Sequence, residues 1–206
     1  MAFPGIPILR RFRDDTRGTL SHEAVIVMPL VIFTLVLTAV FADFFRANTT
    51  SQKAAYTIAD ALSRRAEPVE ADYIDGMNTL YAYLARARQE TSLRVSSIAF
   101  STEDNAYIVI WSHGADGRQP LSTADANTHL ADRLPTLPPG ETVILVEADM
   151  RYTPLLPNWF DVRSFSAAVV TRPRFTSQLR FDTGDGIIDL PDGPPTCDDG
   201  PELCST

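Results

Sequence analysis

The sequence predicts an α+β fold. A long N-terminal helix, half transmembrane and half amphipathic, packs together with a second helix on an antiparallel sheet of about four strands. Three observations lead there. Ala24 to Ala42 is a run of 19 residues without a charge, long enough at about 1.5 Å per residue to cross a hydrocarbon core of roughly 30 Å. Apolar residues then continue at helical spacing as far as Ala66. From Leu93 onward the hydrophobic period drops to two.

Residues 1–18 read as a cytoplasmic leader with no fold of its own. Arg10, Arg11, Arg13 and Arg17 outweigh Asp14 and Asp15, and such a positive excess holds this end in the cytoplasm while the remainder is exported. A cleaved secretory signal is the competing reading, but its apolar core runs about 7–15 residues before a small-residue cleavage site. Here the run is longer and passes into Asp43-Phe-Phe-Arg46 with no Ala-x-Ala. Residues 19–43 therefore read as a retained membrane helix. Pro29, one turn inside it, removes a backbone donor and favours a kink. Thr34 and Thr38 can bond back to helix carbonyls.

Residues 44–181 read as the exported α+β domain. Between Asp43 and Ala66 there is no Gly or Pro; Ala55, Ile58, Ala59, Leu62 and Ala66 share one face, opposite Lys53, Thr57, Asp60 and Arg64. Pro68 is expected to end this helix. A second amphipathic helix is expected from Ala71 to Arg88, with Tyr73, Met77, Leu80, Leu84 and Ala87 as its apolar stripe. Leu93–Ser101 and Ala106–His113 read as a hairpin, followed by a short helix near Thr123–Leu134. In the third strand, Thr142–Tyr152, residues Ile144, Val146, Ala148, Met150 and Tyr152 oppose Glu147, Asp149 and Arg151. That alternation predicts a sheet with one buried and one wet face. A fourth strand spans Ser164–Thr171. Residues 182–206 read as a loose, acidic, Pro/Gly-rich tail.

Composition narrows the function classes. The chain has 206 residues, 45% of them hydrophobic, with net charge −8, pI near 4.8 and one lysine, Lys53. A phosphate-binding face needs clustered Lys and Arg, so nucleic acid is not an expected partner. Cys197 and Cys204, separated by six residues among prolines, suit a local disulfide in an oxidising compartment, against the alternative of two free thiols. Two cysteines without a nearby histidine make only half a tetrahedral metal site. His22, His113 and His129 are scattered, and Ser112-His113 adjacency on a strand points the two side chains to opposite faces. Asp182-Thr183-Gly184 spells the aspartic-protease tripeptide, but it occurs once. Asp185 to Asp192 resembles half of a calcium loop whose first ligand positions fall on Phe181 and Thr183. The Trp159-Phe160 pair reads as a plug between strands or, less well, as a docking tip. No catalytic residue, metal site or cofactor is expected.

The segment Arg17-Gly18-Thr-Leu-Ser-His-Glu23-Ala-Val-Ile-Val-Met-Pro29 resembles the basic–Gly–x4–Glu–apolar–Pro signature of TadE-like minor pseudopilins of tight-adherence (Flp, type IVb) pili. Pro139-Gly140 leading into Thr142–Tyr152, and the closing Thr171-Arg-Pro-Arg174, reinforce the resemblance across roughly residues 10–175. It implies a pilin-like, single-pass protein of the bacterial inner membrane, with its N-terminus cytoplasmic and its domain periplasmic. It further implies a role in assembling or priming the pilus. Partners would be other pilins and pseudopilins, the assembly platform and prepilin peptidase. Gly18 and Thr19 would flank the processing site, and Thr19 departs from the phenylalanine common there. Glu23 and Pro29 would serve assembly: a carboxylate in lipid is costly and pairs when the helix enters a bundle, for which a neighbour's α-amino group is suited. Against this stand a wetted, inert Glu23 and, for the whole chain, a bitopic periplasmic sensor or enzyme on an ordinary anchor.

Overall fold

The computed structural model describes residues 18–101, 105–130, 134, 137–138, 141–154, 156 and 161–188. Helix α1 (Gly18–Ser63) is 46 residues long with Pro29 inside it. The chain divides into two compact units, residues 1–43 and 44–206. In the first, the apolar side chains from Val25 to Val36 are exposed, Val25 at 72% and Leu30 at 67%. Among the described residues one helix is long and apolar enough to span a membrane. Thr34 and Thr38 donate to the carbonyls of Leu30 and Thr34, both at 2.8 Å, as their spacing predicts. These bonds satisfy hydroxyls that lipid could not.

In the second unit α1 buries a stripe: Ala54, Ala55, Ile58, Ala59 and Leu62 are each at most 3% exposed. Ala66, assigned to this stripe from spacing, lies outside it, exposed. The helix stops at Ser63, before Pro68, because its last carbonyl leaves the helical ladder and accepts from the Arg174 amide at 2.8 Å. Arg64 and Arg65 then tighten into three-residue turns. Helix α2 (Ala71–Ala85) ends at Arg86, a left-handed cap with φ 54°. Its buried face is Ile74, Asn78, Tyr81 and Ala85, while Leu80 is 39% exposed. The face is turned by one residue from the apolar stripe because Asn78 reaches inward, donating to the Thr91 carbonyl.

The main sheet comprises β2 (Thr91–Ser101), β3 (Ala106–Gly114), β4 (Thr142–Tyr152) and β5 (Arg163–Thr171), all antiparallel in the order β3-β2-β4-β5. A bulge interrupts β3 at Ile110, which is left unpaired where Ser97 faces Trp111 and Ile98 faces Val109. One face carries the main core, where Val95, Ile144, Val146, Ala148 and Phe165 meet the α1 and α2 stripes. The opposite face is wet only at one end. Glu147, Asp149 and Arg151 reach solvent there, but Val143 and Leu145 are buried under Leu121, Ala126, Leu130 and Leu137. These residues of the 115–141 connection cover that half and make a second core, so alternation in β4 understates its burial.

The short helix expected at 123–134 is a single α-turn, α3 (Thr123–Asp125), capped by Ser122 and continued by a π-turn, Ala126–Leu130. Residues 182–188, assigned to a loose tail, are instead ordered, and residues 189–206 of that tail lie outside the described residues. Preceded by β1 (Val69–Glu70), strands β6 (Phe181–Asp182) and β7 (Ile187–Ile188) form a second sheet, with β1 and β6 parallel and β6 and β7 antiparallel. Packing holds it, since the Phe181 ring stacks on Trp111 at 5.0 Å and His113 at 5.7 Å. The Trp111 indole donates to the Leu179 carbonyl at 2.7 Å.

Candidate functional site

Gly18 opens the described helix and Thr19 is its second residue. Glu23 lies in the second turn, exposed, with no ion pair or hydrogen bond among the described residues. Because the field of a helix terminus fades within its first turn, the dipole does little for this carboxylate where it stands. Six residues on, Pro29 offers no N–H to the Val25 carbonyl. Between Glu23 and Ala42 the helix thus presents one carboxylate and one break in the backbone ladder on an otherwise apolar, largely uncovered stretch. Cys197, Cys204, Trp159, Phe160, Pro139 and Gly140 lie outside the described residues.

The described domain carries a second constellation that the sequence did not reveal as one. On the wet end of the sheet, the Arg94 guanidinium contacts Glu147 Oε2 at 2.6 and 2.7 Å. Arg118 reaches Glu147 Oε1 at 3.6 Å and also pairs with Asp149. Ser166 donates to Asp149. Register explains the first and last contacts, because Arg94 is directly opposite Glu147 and Asp149 directly opposite Ser166. Arg118 arrives by a loop. The carbonyl of Arg118 lies where a Cβ on Gly114 would sit, and Asp116 and Gly117 take left-handed φ of 60° and 75°. Alternation in β4 placed the two carboxylates on the wet face; nothing local in sequence marks Arg118 as their partner.

Burial pulls the Arg118 guanidinium below its ordinary pKa, Glu147 draws it back up and Arg94 pushes it further down. The cluster balances two carboxylates with two guanidiniums and clasps strands and loop together. Beside it, Glu90, Asp116, Arg151 and Ser164 line an open depression of about 480 Å³. Among the described residues no group of three or more His, Cys, Asp or Glu is placed to hold a metal. Asp182 of the protease-like tripeptide accepts from the Gly184 amide at 2.8 Å, a turn-stabilising bond. His113 is packed on Phe181, and His129 lies exposed in the π-turn.

The closing Thr171-Arg-Pro-Arg174 stretch has a structural task. Its Arg174 amide caps α1 and its side chain pairs with Asp60 at 3.0 Å, while Arg172 pairs with Glu141 at 2.7 Å. No protein family, curated protein or solved structure matches the chain.

Proposed function

We propose that this protein is a membrane-anchored pseudopilin that takes part in assembling or priming a tight-adherence pilus. It would sit in the bacterial inner membrane with its leader cytoplasmic and its domain periplasmic. The observation that supports this reading is one helix with two characters. Its first half is apolar, uncovered and marked by Glu23 and Pro29; its second packs on an antiparallel sheet. An anchor alone requires only apolarity. A carboxylate at that depth gains from a cationic partner brought by another subunit, such as the α-amino group left by a cut after Gly18.

The test is Glu23→Gln in cells that make the pilus, with the protein's level, insertion and mass monitored. Loss of pilus yield at normal level and insertion supports the reading. Normal piliation would make Glu23 a wetted boundary residue and remove the main support.

A further inference from the structure

The two edges of the main sheet are finished differently. On β3, the Asn127 side chain exchanges two hydrogen bonds with the Tyr107 backbone, receiving from its N–H at 2.9 Å and donating to its carbonyl at 2.8 Å. The Val109 N–H donates to Thr123 Oγ1 at 3.3 Å. A side-chain amide and a hydroxyl thus stand where a neighbouring strand would pair. On β5 no described residue meets the outward N–H and C=O groups of positions 163–171. That strand has none of the usual blunting: no proline, lysine or bulge, and the small Ser164, Ser166 and Ala168 on its exposed face. Its single charge, Arg163, has no partner among the described residues.

The opposite end of the domain offers a match. Phe181 stacks against β3 residues Trp111 and His113 within the main core, so the β6–β7 hairpin sits at the β3 side of the sheet, and β5 is the edge on the other side. No described residue pairs with the outer edge of the hairpin's outer strand, β7. Its Ile187 and Ile188 are 49% and 37% exposed, and the preceding Asp185 is exposed with no partner among the described residues. We propose that copies of this chain associate side by side, the β6–β7 hairpin of one copy adding to the outer edge of β5 in the next, with Asp185 facing Arg163. Different surfaces meet on the two copies, so the contact repeats in one direction and builds a row rather than a closed pair. A two-residue strand contributes few ladder bonds and makes each contact weak. Confinement in one membrane raises the effective concentration that sustains it. The contact concerns the folded domain and does not rest on the pilus reading.

The test uses the full chain reconstituted in phospholipid vesicles, with a photo-crosslinking side chain at position 187 and an equal mixture of isotopically light and heavy protein. Irradiation is expected to give dimers and higher species whose joined peptides link position 187 to residues 163–171 of the other isotope. Arg163→Glu or Asp185→Arg alone should lower the yield about two- to fivefold, the worth of an opposite-charge cross-strand pair, and the two reversals together should restore it. Absence of crosslinked species, links confined to one isotope or to other segments, or a double reversal no better than the singles would overturn the proposal. If a charge reversal disturbs folding, as circular dichroism would reveal, the wild-type crosslink map decides alone.

Discussion

The two halves of α1 share a backbone geometry and differ in what their apolar residues meet. From Val25 to Val36 the side chains are exposed on all sides; from Ala54 to Leu62 only one stripe is apolar, and it is buried to within a few per cent. Apolarity all round without protein cover requires a different surrounding medium, whereas apolarity on one stripe requires a partner layer. The polar groups follow the same division. Thr34 and Thr38 bond within their own helix, while Ser51 bonds the Tyr81 hydroxyl of α2 at 2.7 Å.

The sharpest way to break this comparison is a matched pair of truncations. Ile58→Ala removes a fully buried side chain and should cost about 2–5 kcal/mol in domain stability. Ile32→Ala, at an exposed position, should leave the domain's denaturant midpoint in detergent unchanged. Equal losses from the two would refute the division. A smaller effect is expected from Arg118→Met, which keeps the stem and removes the charge that Glu147 and Asp149 face. About 1–2 kcal/mol should be lost, allowing for partial exposure, and a midpoint equal to wild type would show the clasp to be idle.

Tyr81→Phe should cost about 1 kcal/mol through the lost bond to Ser51. It should also change the alkaline limb of stability. Burial pushes the Tyr81 phenol above its ordinary 10.0, partly offset by Ser51. Below pH 10 the phenol is neutral whether the chain is folded or not. As pH rises past that, the unfolded chain ionises first, so stability falls through the raised folded value. Melting curves between pH 9 and 11 should show a steeper decline for wild type than for the phenylalanine variant. The smallest expected change is in Glu23→Gln, which should leave domain melting untouched.

Long periodic elements were legible because a repeated pattern accumulates evidence. The apolar run, the α1 stripe to Leu62 and all four strands of the main sheet lie where spacing placed them to within a few residues. Two-residue strands carry no period, so β1, β6 and β7 were hidden, and only the stacking of Phe181 on Trp111 reveals why the chain is held there. The second core was hidden because Leu121, Leu130 and Leu137 are strewn through a connection that reads as a loop. In α2 the polar Asn78 occupies a core-facing position, which turned the counted stripe by one residue. Gly18, Glu23 and Pro29 were visible as residue types. The Arg94–Glu147–Arg118–Asp149 cluster was not, since it depends on register and on a loop that folds back.

The clasp at the end of α1 has a consequence in time. The Ser63 carbonyl is met by the Arg174 amide and Asp60 by the Arg174 side chain, more than a hundred residues downstream. A chain made from its N-terminus therefore produces the stripe of Ala55, Ile58 and Leu62 long before the strands that cover it. Such distant closure slows folding and leaves greasy surface waiting. Until residue 174 has been made, that stripe lacks the layer that buries it in the finished domain.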